Sequence, residues 1–73
     1  MSGAVKTCTA IISIQNLTAE DFPRLTAAFK AVAGFERVSF NVERSVASVD
    51  FDPKQSNIDD LLRAVLQAGH QLL

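Results

Sequence analysis

The 73-residue sequence predicts an α+β sandwich of order βαββαβ, with two helices on one face of a four-stranded antiparallel sheet. Three observations carry the prediction. Apolar and polar residues alternate along Thr7–Gln15, Val38–Glu43 and Ala47–Phe51. Two other stretches, after Phe22 and after Ile58, repeat their apolar residues at helical spacing. Turn and cap residues stand at each junction between them.

The first strand places Cys8, Ala10, Ile12 and Ile14 on one face and Thr7, Thr9, Ser13 and Gln15 on the other, with Ile11 the exception. Asn16 to Asp21 supplies turn and cap chemistry, and Thr18 with Asp21 resembles a capping box. Pro23 lacks an N–H, so a helix start near Asp21 or Phe22 is expected, which leaves proline in the first turn. That helix should run to about Ala33, burying Phe22, Leu25, Ala28, Phe29 and Val32, and stop at Gly34. Arg24 and Lys30 fall on its solvated side. Val38 to Val42 and Val46 to Phe51 read as a β-hairpin reversing at Arg44-Ser45 and ending at Asp52-Pro53. Ser56 with Asp59, or Asn57 with Asp60, can cap the second helix. Its apolar stripe is Ile58, Leu61, Leu62, Val65 and Ala68, and Gly69 stops it. Gln71-Leu72-Leu73 supplies a short last strand. With right-handed crossovers this order is the ferredoxin-like arrangement, which hosts many functions and selects none.

Composition excludes several classes. Seven basic and eight acidic residues give a net charge of −1. There is no basic stripe, so nucleic acid is not an expected partner. No segment approaches the roughly 20 apolar residues of a membrane span. The opening Met1-Ser2-Gly3-Ala4-Val5-Lys6 does not lead into the apolar run of a signal peptide. One cysteine, Cys8, cannot form an internal disulfide, which fits a reducing, cytoplasmic setting. The expectation is a single domain over 1–73.

Gly34-Phe35, the strand Val38–Val42, the strand Val46–Phe51, Asp52-Pro53, the helix Ile58–Ala68 and then Gly69-His70 together resemble a heavy-metal-associated domain. Such domains serve as copper chaperones and as N-terminal modules of metal-transporting P-type ATPases. The resemblance spans roughly residues 9 to 72 and rests on order and spacing. It implies a Gly-Met-Thr-Cys-x-x-Cys loop after the first strand, whose two thiolates hold copper(I). Aligned from the strand, the two cysteine positions fall on Ala19 and Phe22. Aligned back from Gly34, they fall on Thr18 and Asp21. Both ligands are absent either way, and Leu17 takes the methionine position as a plug beneath the loop.

The remaining candidates each have a plain reading beside a functional one. Cys8 stands at the start of the first strand, and eight residues at about 3.3 Å each put it more than about 20 Å from the loop. It shares the inward parity of Ile12 and Ile14, so a buried apolar role is expected, with an intersubunit metal role as the alternative. His70 should lie beside Asn16–Phe22, because the last strand begins where the first ends. With Asp21 or Glu20 it forms a candidate site for a borderline ion such as zinc; the plain reading is a histidine that only covers the loop. Glu20 and Asp21 also suit a helix start without any metal. Asp50 and Asp52 read as a solvated strand edge rather than an acid/base pair. A Ser-His-Asp set cannot be assembled, so no enzyme activity is expected. The third strand lacks the basic, aromatic motif of RNA-recognition domains. The acidic loop would repel the phosphate of an acylphosphatase substrate.

The expected function is a degenerate heavy-metal-associated domain: a protein-interaction or regulatory module of metal trafficking without the thiolate site. The partner would be a metal-transporting ATPase or a chaperone, docked through Leu17, Thr18, Glu20, Asp21, Arg24 and Lys30. No resident cofactor is expected. Weak zinc or copper binding through His70, Asp21, Glu20 or Cys8 is the alternative. A small-molecule regulatory domain of the same topology is a third possibility, and it would require a dimer.

Overall fold

The computed structural model describes residues 7–72. Strands β1 (Cys8–Ser13), β2 (Phe35–Asn41) and β3 (Val46–Phe51) form one antiparallel sheet in the order β1-β3-β2. Helices α1 (Phe22–Lys30) and α2 (Ile58–Gln67) supply the second layer. The central register pairs Ala10 with Val49 and Val49 with Val38, so the inward side chains of all three strands share a level. The core is Ala10, Ile12, Ile14, Leu17, Leu25, Phe29, Ala47, Val49, Phe51, Leu61, Ala64 and Val65.

The expected fourth strand is reduced, among the described residues, to a single antiparallel bridge between Ile14 and Leu72. Beside it the Gln15 N–H donates to the Gln71 carbonyl at 2.7 Å. A ladder needs several successive pairs to offset the entropy of extending the chain, and one bridge does not make a strand. Among the described residues, the Ile14 end of β1 therefore has a neighbour on this side and the Cys8 end has none.

That edge also corrects the reading of Cys8. Parity alone suggested burial, yet Cys8 is exposed, while Ala10, Ile12 and Ile14 are buried. Ile11 faces outward and is 61% exposed.

Both features expected before α1 are present in sequence. A 3-10 turn over Ala19–Asp21 follows Thr18, and the α-helix begins at Phe22 with Pro23 in its first turn. α1 stops at Lys30 rather than Ala33; the chain turns through Val32, whose N–H bonds the Phe29 carbonyl, and leaves at Gly34 with φ 80°. Only Leu25 and Phe29 of its apolar face are fully buried; Phe22, Ala28 and Val32 pack at the margin. Phe22 stacks on Phe40 of β2, with ring centroids 4.3 Å apart and planes 9° from parallel. The hairpin turn claims Val42, which is exposed, and closes through Ser45 at φ 57°.

Asn57 and Asp60 cap α2 reciprocally. Asp60 N–H donates to Asn57 Oδ1 at 3.1 Å, and Asn57 N–H donates to Asp60 Oδ2 at 3.0 Å. Ser56 is instead buried, with its hydroxyl donating to the Ala33 carbonyl, which ties the entry of α2 to the exit of α1. Ile58, expected in the apolar stripe, is 47% exposed. No described helix is long and apolar enough to cross a membrane.

Candidate functional site

The segment between β1 and α1 is shaped residue by residue. Asn16 adopts φ 56°, a left-handed conformation that asparagine tolerates because its short amide can bond locally. The turn sends Leu17 inward, where it is 3% exposed. Thr18 is extended, with φ −130° and ψ 165°. Asp21 then reaches back: its Oδ2 accepts from the Thr18 N–H and from the Thr18 hydroxyl, each at 3.0 Å. These two bonds close the loop on itself.

His70 arrives from the other side. α2 ends in a Schellman arrangement, in which Gly69 at φ 90° donates to Leu66 and the His70 N–H donates to the Val65 carbonyl at 3.2 Å. That turn sets the imidazole over the loop. Its Nε2 lies 3.5 Å from Asp21 Oδ1, is buried, and has no hydrogen-bond partner. The pair sits in an open depression lined also by Gln15, Asn16, Thr18, Gly69 and Gln71.

The topological expectation placed His70 beside the loop, and the structure brings it to Asp21. Glu20 is exposed on the same turn, and Arg24 and Lys30 are exposed along α1. Leu17 is corrected as a docking residue: its burial makes it the plug beneath the loop and removes it from the surface. Cys8 stands at the opposite end of β1 from the loop. Among the described residues, no group of three or more His, Cys, Asp or Glu side chains is placed to hold a metal ion. Of the two alignments, Ala19 and Phe22 offer no ligand, and Phe22 is committed to its stack on Phe40. Thr18 and Asp21 are bonded to each other.

No family model and no curated protein matches the sequence. Solved structures do match. A CopZ metallochaperone aligns at TM-score 0.83 with 15% identity, over 90% of this chain and 100% of that one. Oxidized MerP from Ralstonia metallidurans CH34 aligns at TM-score 0.80 with 26% identity, over 93% and 96%. The N-terminal domain of a potential copper-translocating P-type ATPase from Bacillus subtilis, in its Cu(I)-loaded state, aligns at 0.81 with 24% identity, over 92% and 85%. The chain has the fold of the heavy-metal-associated domains. It carries that fold with one cysteine, so it lacks the paired thiolates that the resemblance implies.

Two polar clusters of this heavy-metal-associated fold escaped the sequence reading. Asp50 is not a solvated edge residue. On the open face of the sheet its Oδ1 accepts from the Thr9 hydroxyl at 2.6 Å and its Oδ2 from Arg37 Nε at 2.6 Å, linking all three strands. Asp52 lies past β3 and holds the next turn, accepting from the Lys54 N–H and the Gln55 amide. The signal for the first cluster was register: a Thr, an Asp and an Arg at one level of three adjacent strands.

These bonds hold three carboxyls below the ordinary aspartate value. For Asp21 the main cause is the Thr18 N–H, with the Thr18 hydroxyl, His70 and Arg24 adding and partial burial opposing. For Asp50 it is the Thr9 hydroxyl and then Arg37, and for Asp52 the Gln55 amide and then the Lys54 N–H. A carboxyl depressed in the folded state contributes stability that is complete above its unfolded value and is lost as pH falls through the folded one. The melting temperature is therefore expected to fall on acidification below the ordinary aspartate value of 3.8. The Asp21→Asn, Asp50→Asn, Asp52→Asn triple variant should show a flatter profile in thermal melts between about pH 5 and pH 2. An unchanged profile would remove these bonds from the acid response.

Proposed function

We propose that this chain is a protein-interaction or regulatory module of metal trafficking, acting in the cytoplasm and not as an enzyme, whose loop no longer carries metal. The observation behind this reading is the closed loop. Where the resemblance implies two thiolates, Asp21 bonds back to Thr18, and Leu17 still plugs the core below. The fold matches metallochaperones and ATPase metal-binding domains while the donor set does not fit copper(I), which prefers soft sulfur. The surface left for docking is Thr18, Glu20 and Asp21 on the loop with Arg24 and Lys30 along α1. Mixed charges of this kind steer and orient a partner more than they add affinity. The partner class is a metal-transporting ATPase domain or a chaperone.

A second reading is favoured by one observation, the buried and unpartnered Nε2 of His70 facing Asp21 Oδ1 at 3.5 Å. A tetrahedral zinc ion bound at ordinary distances holds adjacent N and O ligands roughly 3.4 Å apart, so the spacing suits one edge of such a site. The chain offers two ligands where zinc takes four, so binding would be weak unless a partner completed the set.

One titration series separates the readings. The isotope-labelled chain is titrated with the copper-binding domain of a P-type ATPase, and separately with zinc and copper(I) against chelators. Docking predicts resonance shifts confined to residues 16–21 and α1, and at least tenfold weaker binding after charge reversal at Glu20, Asp21, Arg24 and Lys30. Unchanged binding by the reversed variant would sink the docking face. Sub-micromolar zinc binding that disappears in His70→Ala would replace the first reading with the second.

A further inference from the structure

We propose that the open edge of β1, roofed by the outer flank of α2, is a self-association surface on which a second copy of this chain adds its own β1 antiparallel. Three independent features meet there.

The first is backbone orientation. The Ile14 N–H is turned toward β3, where it donates to the Ser45 carbonyl at 2.8 Å. The Gln15 N–H is turned the other way, to Gln71. Because alternate residues of a strand direct their N–H and C=O groups to opposite sides, Thr9 and Ile11 present theirs to the open edge, short of the bridge at Ile14. Among the described residues, pairing on that edge occurs only at Ile14 with Leu72.

The second is the roof. α1 packs against α2 and is held to the β2 side of the sheet by the stack of Phe22 on Phe40, which leaves the β1 side to α2. The side of α2 that faces α1 carries Asp60, Arg63, Ala64 and Gln67, which line the interhelical groove with Ala28 and Val32. Ile58, Leu62 and Leu66, spaced four residues apart, therefore fall on the flank away from α1, above the β1 edge. Ile58 is 47% and Leu66 53% exposed. An added strand would put alternate side chains beneath this flank.

The third feature selects the occupant. From Thr7 to Gln15 the strand carries no charge and no proline. Edge strands normally avoid self-pairing through lysine, proline or an inward charge, and β1 has none of these devices. A second β1 brings the same uncharged, β-branched pattern, so the antiparallel pair meets no like-charge repulsion. Centred on Ala10, it sets Thr9 against Ile11 of the second copy, joining the outward-facing backbone groups of both, and it builds one continuous six-stranded sheet. Cys8, exposed in the single chain, lies along the same edge.

Sedimentation velocity over a micromolar-to-millimolar series tests this, with amide exchange read on the same samples. A concentration-dependent dimer is expected, with Thr9 and Ile11 amides protected in the dimer. Ile11→Lys, at a position exposed in the monomer, should weaken association at least tenfold while circular dichroism stays native. The Ile58→Lys, Leu66→Lys double variant should do the same through the roof. A monomer at millimolar concentration overturns the proposal. So does a dimer that survives both sets of substitutions, or slow exchange of Thr9 and Ile11 in the monomer, which would mean that the same chain covers its own edge.

Discussion

Gly34→Ala is expected to destabilise the fold by about 3 kcal/mol, combining a left-handed backbone penalty of about 1–2 kcal/mol with overpacking of about 1–3 kcal/mol. Gly34 turns the chain from the end of α1 into β2 at φ 80°. A Cβ built there would stand 2.9 Å from Gln55 Cβ, 3.1 Å from Asp52 Cβ and 3.2 Å from the Asp52 carbonyl oxygen. Relief is difficult, because the neighbours are held. The Asp52 N–H donates to the Gly34 carbonyl at 2.9 Å, and the Asp52 carboxylate holds Lys54 and Gln55 in the following turn. Gly69→Ala is the internal control. Gly69 has φ 90° and nothing within 4 Å of a built Cβ, so only the backbone penalty of about 1–2 kcal/mol applies. Urea unfolding of both variants measures the difference. Equal losses would mean that the crowding at Gly34 relaxes without cost.

The order of elements was legible because each carries its own period and its own punctuation. Gly69 directly follows the cap of α2, while Gly34 closes the turn that follows α1, and both take the positive φ that glycine adopts freely. Pro23 correctly forced a late start for α1, but only the coordinates show a 3-10 turn ahead of it, so that the Thr18–Asp21 pairing and the proline rule hold together. The errors share a cause. Alternation along β1 assigns a side chain to a face, but it does not say whether a neighbour covers that face. Cys8 was therefore expected inside and is exposed, and Ile58 was expected inside from its helical spacing and is 47% exposed for the same reason. At the loop, topology was enough to bring His70 to Asp21, because antiparallel order dictates which strand ends meet. The orphaned Nε2 and the closure of the loop by Asp21 depend on angles and distances that no spacing rule contains. Likewise Asp50 looked solvated along its own strand, and its partners Thr9 and Arg37 belong to two others.

Phe29→Ala should remove a large share of the stability the domain has. Phe29 is 0% exposed and ranks first by volume among the fully buried side chains. It projects from α1 into the cluster that includes Leu25, Val49, Leu61 and Val65. Truncating a buried phenylalanine costs about 3–5 kcal/mol, because the apolar transfer is lost and the cavity closes only in part. A 73-residue chain at ordinary stability per residue holds only about 4–11 kcal/mol in total. With a urea slope of roughly 1 kcal/mol/M for a domain of this size, the midpoint should fall by about 3–5 M at unchanged slope, or the variant should be unfolded without denaturant. Phe40→Ala gives the scale for a marginal aromatic. Its ring is half-buried, and it loses the stack on Phe22, worth about 0.5–1.5 kcal/mol beyond area. The ratio matters more than either value. The sheet and α1 meet through Phe29, whereas Phe40 and Phe22 seal one margin beside the loop. If Phe29→Ala moved the midpoint no further than Phe40→Ala does, α1 would be held to the sheet by its rim rather than by its buried face.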